Sequence, residues 1–142
     1  MNISPTGIAF IESNEGLILL PYNDNGKQAI GYGHDLLPGE SYPEGITQEQ
    51  AEALLFHDLG PIQTALASLV PPDCTQNQWD ALCDFGYNLG VGALKIMLEH
   101  GWDQVPVQVP RWNHINGAPA PGLTARRNAE AAMFVGTATE RA

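Results

Sequence analysis

The chain has 142 residues, enough for one domain with a sizeable core and too few for two ordinary ones. Apolar residues make up 44 %, which argues against a disordered chain, and no uncharged apolar run is long enough to cross a bilayer. Six basic residues against sixteen acidic ones give a net charge of −10, which argues against nucleic acid as a partner. We expect no stable membrane insertion, and we also expect a monomer.

The first predicted elements are a short helix and a β-hairpin. Ser4 is a candidate N-cap for the helix, and Gly16 offers its C-terminal stop. Asn25-Gly26, the strongest short hairpin signal, then stands between the strand candidates 17–22 and 27–32. These elements predict a small lobe made of one helix and one hairpin.

The remainder of the chain reads as helical. Capping-box patterns at Thr47–Gln50 and Thr75–Gln78 precede apolar residues at helical spacing. Pro61 is expected to open another short helix, and further helices are predicted near 92–100 and 123–135. One helix, a hairpin and a helical bundle together predict an α+β fold in a single domain over residues 1–142.

Glu15 is the first candidate for chemistry. It continues the stripe of Ile8 and Ile11 on the first helix, and it lies in the last turn, where the helix dipole disfavours negative charge. Both effects are expected to raise the pKa of its carboxyl, as a general acid requires. The alternative is a surface glutamate at a frayed helix end.

Asp24 is the second candidate, at the tip of the first strand. A short acid before Asn25-Gly26 is also a common turn former, so this position alone does not indicate function. Together with Glu15 it gives two carboxyls, one with reason to stay protonated and one exposed enough to stay ionised. Such a pair is what the cleavage of a glycosidic bond requires.

No pattern predicts a metal or another cofactor. The four histidines and the two cysteines show none of the tight spacings of zinc ligands. Cys83 is expected to be a small core residue, and two cysteines are too few for a disulfide scaffold. Asp80 and Asp84, four residues apart on one helix, are expected to form a solvated face rather than a metal site.

The order of several motifs resembles the phage-type lysozymes, the endolysin muramidases. Blocks of that family are matched along nearly the whole chain by Glu15-Gly16-Leu17, Tyr22-Asn23-Asp24, Ile30-Gly31-Tyr32-Gly33-His34, Thr75 to Leu82, and Arg126 to Glu130. The resemblance implies a lysozyme-like fold, in which the N-terminal helix and the small hairpin lobe pack on a mainly helical lobe.

Roles follow from the resemblance position by position. Glu15 matches the general acid of the family, and Asp24 matches its second catalytic carboxylate. Tyr87, Gln108 and Leu36 fall near substrate contacts of the family, while His34 matches a histidine interpreted as a structural hydrogen-bonding residue at the base of the cleft.

Tyr32 is an additional candidate for stacking on sugar, with core packing as the alternative. Ala29 departs from the pattern, because the family often carries a threonine there, whose hydroxyl is expected to help hold the attacking water.

The expected function is hydrolysis of the β-1,4 bond between N-acetylmuramic acid and N-acetylglucosamine in bacterial peptidoglycan, without a cofactor. One alternative is a wall-binding module that kept the fold and lost activity, for which Ala29 is the best argument. Another is a zinc amidase that acts on the same polymer. The N-terminus has no pattern of a signal peptide, so we expect accumulation in the host cytoplasm until the membrane is permeabilised.

Overall fold

The computed structural model describes residues 1–136 of the chain. Within them lie six α-helices and five short strands, joined by 3₁₀ turns at Trp102–Gln104 and Val109–Arg111. The helices are α1 (Pro5–Glu15), α2 (Gln48–Leu69), α3 (Gln76–Leu89), α4 (Val91–Leu98), α5 (Val105–Gln108) and α6 (Pro121–Val135). The strands are β1 (Ile18–Asp24), β2 (Lys27–Gly31), β3 (His34–Asp35), β4 (His114–Ile115) and β5 (Ala118–Pro119).

The chain divides into two compact units. The smaller unit is Ala9–Gly60, and the larger unit combines Met1–Ile8 with the chain from Pro61 onward. The predicted α+β class is confirmed. The predicted single domain over 1–142 stays a prediction, and its last six positions lie outside the described residues.

The smaller unit contains the predicted hairpin. Strands β1, β2 and β3 form an antiparallel sheet in that order. Asn25 and Gly26 both have positive φ, 51° and 87°, as a two-residue type I′ turn requires. The turn sets the register by which Asp24 faces Lys27 and Tyr22 faces Ala29.

The core of the smaller unit is formed by α1, β2 and α2. Its apolar side chains are almost completely removed from water: Ile11, Ala29, Ile30, Ala51, Leu55 and Leu59.

The predicted capping box of α2 is present, because Thr47 Oγ1 accepts from the Gln50 N–H at 3.1 Å and Gln50 Oε1 accepts from the Thr47 N–H at 2.8 Å. The first helix is capped as predicted by Ser4, whose hydroxyl oxygen accepts from the Gly7 N–H at 3.1 Å.

The prediction that Pro61 opens a new helix is wrong. Pro61 lies inside α2, which continues to Leu69. A proline removes only one backbone donor, and buried residues recur at helical spacing on either side of it, at Leu59, Ile62 and Leu66. The apolar periodicity therefore outweighs the local breaker.

Helix α3 is the central element of the larger unit and packs against α4 and α6. Its capping box is present as predicted, with Thr75 and Gln78 bonded to each other's backbone N–H groups. The buried side chains of α3 include Trp79, Leu82, Cys83 and Phe85. Burial strongly raises the pKa of the Cys83 thiol, with further contributions from neighbouring acids, so Cys83 is the core residue that was expected.

The prediction of a solvated face at Asp80 and Asp84 is wrong, since both are buried. Asp80 accepts from the Ser4 N–H at 3.0 Å, from the Ser4 hydroxyl and from Gln76 Nε2 at 2.8 Å. Asp84 receives a bidentate pair from Arg126, with N–O distances of 2.9 and 2.8 Å. Hydrogen bonds and a countercharge from distant parts of the chain make this burial tolerable.

A second buried ion pair lies on α6. Arg127 is 0 % exposed and donates to Glu130 Oε2 at 2.8 Å. Its guanidinium carbon is also 5.1 Å from the centroid of the Phe85 ring. This cation–π contact links α6 to α3 inside the larger unit.

Candidate functional site

Glu15 is the last residue of α1, one turn after the fully buried Ile11. The helix ends at Gly16, which has a φ of 73° and donates its N–H to the Glu12 carbonyl at 3.0 Å. The Glu15 side chain is half-buried. The predicted position, on the apolar stripe and in the last turn, is therefore confirmed.

Asp24 ends β1 and is exposed, directly before the turn. Tyr22 lies two residues earlier on the same strand. Burial raises the pKa of the Tyr22 hydroxyl, and the charges of Asp24, Glu15 and Asp35 raise it further, in that order. The carboxylates of Glu15 and Asp24 thus both act on one phenol in the smaller unit.

Ala29 lies between Tyr22 and Asp35 across the three strands. It pairs with Tyr22 on β1 and with Asp35 on β3, and its own side chain is 0 % exposed. Directly opposed residues of antiparallel strands point to the same face, so these three side chains form one row, which we call the Tyr22–Ala29–Asp35 row.

Sequence reasoning did not single out Tyr22. The signal was available, because a two-residue turn at Asn25-Gly26 places Asp24 opposite Lys27 and hence Tyr22 opposite Ala29. Counting back from the turn would have identified the tyrosine as the direct neighbour of the departing position Ala29.

His34 makes the hydrogen bonds expected of it. The ring is 3 % exposed, with Nδ1 at 2.6 Å from Asp58 Oδ2 and Nε2 at 2.9 Å from Glu40 Oε1. Burial lowers the pKa of His34, but the hydrogen bonds and charges of Asp58 and Glu40 outweigh burial and the net shift is upward. With a carboxylate at each ring nitrogen, the imidazolium donates from both.

The other sequence-predicted residues divide between the two units. Tyr32 is 6 % exposed, and burial, followed by the charges of Glu12 and Glu52, raises the pKa of its hydroxyl. This position fits core packing, the alternative role considered for Tyr32. Leu36 is half-buried and donates its N–H to the Gln28 carbonyl at 2.9 Å.

Tyr87 and Gln108 belong to the larger unit. Tyr87 is half-buried on α3, and Gln108 is 8 % exposed at the end of α5. Within residues 1–136, no three histidine, cysteine, aspartate or glutamate side chains group as metal ligands would. The same part of the chain contains no helix long and apolar enough to span a membrane.

Comparison with known proteins decides the family. The family model described as phage lysozyme matches residues 12–130. The chain belongs to the phage lysozyme family. An endolysin of Acyrthosiphon pisum secondary endosymbiont phage 1 is 35 % identical over 145 aligned positions, which cover 94 % of this chain and 98 % of the relative. Longer endolysins of Bacillus phages B103 and PZA also match, and the chain spans about half of their length (54 and 55 %).

Solved structures agree with this assignment to the phage lysozymes. The endolysin from the Escherichia coli phage FAHEc1 superposes with a TM-score of 0.85 at 30 % identity, over 96 % of this chain and 95 % of that one. The muramidase domain of SpmX from Asticaccaulis excentricus superposes with a TM-score of 0.81 at 33 % identity, over 94 and 97 %. The lysozyme-like fold is confirmed, and so is the expected class, a phage lysozyme that degrades peptidoglycan. No comparison favours a weakened binding module.

Proposed function

We propose that this phage lysozyme hydrolyses the β-1,4 bond between N-acetylmuramic acid and N-acetylglucosamine, with Glu15 and Asp24 as its catalytic carboxylates. The observation that supports the proposal is that Glu15 ends α1 and Asp24 ends β1 within the smaller unit, where the charges of both raise the pKa of the Tyr22 hydroxyl. The likeness to a muramidase domain over 94 % of the chain supports the choice of bond.

The two carboxyls have different surroundings, as glycosidic cleavage requires. Glu15 is half-buried at the negative end of the α1 dipole, and the proposal gives it the role of the general acid. Asp24 is exposed to water and faces Lys27 across the hairpin, and the proposal gives it the ionised role in the pair. In the proposed reaction Glu15 protonates the leaving oxygen, and Asp24 either orients the attacking water or stabilises the oxocarbenium-like transition state.

Further contacts belong to the same proposal. Tyr87, Gln108 and Leu36 are proposed to contact the glycan, whereas Tyr32, 6 % exposed, is assigned to core packing. His34 and its two carboxylate partners support the loop that follows β3. Action as a monomer and accumulation in the host cytoplasm before lysis stay predictions.

Replacing Glu15 by glutamine tests the proposal most directly. The amide keeps the shape of the side chain but cannot deliver a proton, so Glu15→Gln is expected to stay folded and to lose at least about 100-fold in rate. The rate is measured as new reducing ends released from purified peptidoglycan, and the fold by thermal unfolding. A folded variant with near-normal activity would contradict the assignment.

Glu12→Gln is the matched control, because it replaces a carboxyl by an amide in the same way, one turn earlier on α1. It is expected to change the rate far less than Glu15→Gln. The products also separate the alternatives: reducing ends that persist in EDTA support the muramidase, whereas free amino groups lost in EDTA would indicate a zinc amidase. Wall binding without either product would indicate a binding module.

A further inference from the structure

The loop that follows β3 contains a tight turn over residues 37–40. The Glu40 N–H donates to the Leu37 carbonyl at 3.0 Å, and Gly39 has a φ of 90°. A proline in the second position and a positive φ in the third are typical of a type II turn, and Pro38 and Gly39 meet both requirements. The turn reverses the chain, so Glu40 lies back beside the residues that precede it.

One oxygen of the Glu40 side chain holds both sides of a short segment. Glu40 Oε1 accepts from the Leu37 N–H at 2.6 Å and lies 2.9 Å from His34 Nε2. His34 precedes Leu36 by two residues, and Leu37 follows Leu36 directly. The carboxylate therefore bridges the chain on either side of Leu36. Because a hydrogen bond to a charged acceptor is stronger than a neutral one, this bridge restricts the segment more than the turn alone would.

The bridge is itself attached to a helix and a strand of the smaller unit. His34 is 3 % exposed, and its Nδ1 is 2.6 Å from Asp58 Oδ2 on α2. The Leu36 N–H donates to the Gln28 carbonyl on β2 at 2.9 Å. Leu36 is thus held by β2 at its own backbone, and by α2 through His34 and Glu40. Its side chain is half-buried, which leaves part of it open to a ligand.

We propose that Glu40 is a positioning residue, which holds segment 34–37 so that the Leu36 side chain faces the glycan. This inference rests on the proposed function, in which Leu36 contacts the glycan. A side chain that is already fixed loses little conformational freedom when a ligand binds, and the ligand therefore binds more tightly. Glu40 thus determines how tightly the glycan binds, and not how fast its bond is cleaved.

Leu36→Ala and Glu40→Ala, made singly and together, test the proposal. Leu36→Ala removes an apolar contact, so KM for soluble glycan chains of peptidoglycan is expected to rise about 3- to 10-fold with kcat unchanged. Glu40→Ala keeps the contact but releases the segment, so KM is expected to rise about 3-fold or more, again with kcat unchanged. In the double variant no contact remains to be positioned, and its KM is expected to equal that of Leu36→Ala within about twofold. Reducing-end release gives both constants, and thermal unfolding checks the fold.

Glu44→Ala is the matched control, because it makes the same substitution at an exposed acid of the same loop. It is expected to keep the wild-type KM and kcat. Glu40→Gln is the conservative variant, since its amide oxygen can still accept from the Leu37 N–H but carries no charge. Its KM is expected to lie between those of wild type and Glu40→Ala. If Glu40→Ala does not fold, the double variant is made with Glu40→Gln instead.

The coupling between positions 36 and 40 decides the result. Additive increases of KM in the double variant, or a loss of kcat in folded Glu40→Ala, would overturn the proposal, because Glu40 would then act through other residues. If Leu36→Ala raises KM and folded Glu40→Ala does not, the positioning role is wrong and the glycan contact of Leu36 stands. If Leu36→Ala matches wild type, the contact and the positioning role are both wrong. The catalytic pair is judged separately, by Glu15→Gln.

Discussion

Gly7 occupies a position in α1 where no larger residue fits. A Cβ atom there would lie 2.6 Å from Asp80 Cγ and 2.7 Å from Ile3 Cγ1. Asp80 cannot retreat without losing its bonds to Ser4, which also caps the helix. Gly7→Ala is therefore expected to lower the free energy of unfolding by about 1–3 kcal/mol, although alanine is the better helix former. Urea unfolding measures the change.

Gly92→Ala provides the control, because Gly92 is also helical, lies in α4, and a Cβ added there would meet no described atom within 4 Å. With no clash, only the conformational gain remains, and the variant is expected to gain up to about 1 kcal/mol. Equal stability of the two alanine variants would show that the Asp80 cluster adapts at no cost.

At the scale of elements, the cluster of His34, Glu40 and Asp58 ties the loop after β3 to α2. Glu40 also accepts from the Leu37 N–H at 2.6 Å, and this bond, followed by His34, lowers the pKa of Glu40. The ordinary values are 6.5 for histidine and 4.5 for glutamate, and the shifts run upward for His34 and downward for Glu40. His34 and Glu40 are therefore oppositely charged, and stabilise the fold most, between about pH 4.5 and 6.5.

The raised pKa of His34 predicts the pH range in which this stabilisation is lost. A group with a raised pKa in the folded state stabilises fully below its unfolded pKa, and loses that contribution as pH rises through its folded pKa. We expect the free energy of unfolding to fall by about 1 kcal/mol from pH 6 into the alkaline range, a small value because Glu40 and Asp58 are partly exposed. Urea titrations at a series of pH values measure it.

Glu40→Gln removes one charge from the cluster and should move this loss to lower pH. Glu44→Gln alters an exposed acid of the same loop and should leave the pH dependence as in wild type. A wild-type stability that stays flat through the alkaline range would contradict the role given to His34.

The local signals of the sequence predict most elements correctly. The capping boxes at Thr47 and Thr75 mark the starts of α2 and α3, and the Asn25-Gly26 turn marks the hairpin. Glu15 and Asp24 could be placed at element ends for the same reason, because helix stops and tight turns depend on a few adjacent residues. The positions of these two candidate carboxylates are thus readable from short-range chemistry.

What the sequence could not predict depends on partners far along the chain. Asp84 is paired by Arg126, 42 residues later, and Asp80 is bonded by Ser4, 76 residues earlier. An acidic residue on a helix looks solvated until such a countercharge or donor is known. Pro61 was misjudged for a related reason, since the burial of Ile62 and Leu66 outweighs its local effect.

At the scale of the whole molecule, the net charge of −10 opposes an anionic cell wall. Salt screens this repulsion to a range of about 10 Å at 0.1 M ionic strength. Activity on intact peptidoglycan sacculi is therefore expected to rise from very low to moderate salt, measured as the initial rate of reducing-end release. An uncharged oligosaccharide substrate serves as the control and should show no such rise. A steady loss of rate on sacculi from the lowest salt upward would show that local positive patches dominate.

The two cysteines of the chain can report local unfolding of the larger unit. Cys74 and Cys83 are both free thiols buried in the larger unit, and burial raises the pKa of each, so the reactive thiolate is scarce as well as shielded. A thiol-specific reagent should modify Cys74, 7 % exposed and just before α3, sooner than the fully buried Cys83. The difference between the two labelling rates then distinguishes partial loosening around α3 from its complete exposure, without any engineered probe. The smaller unit has no cysteine and gives no signal in such an assay, so a loss of activity that precedes labelling occurs before α3 opens.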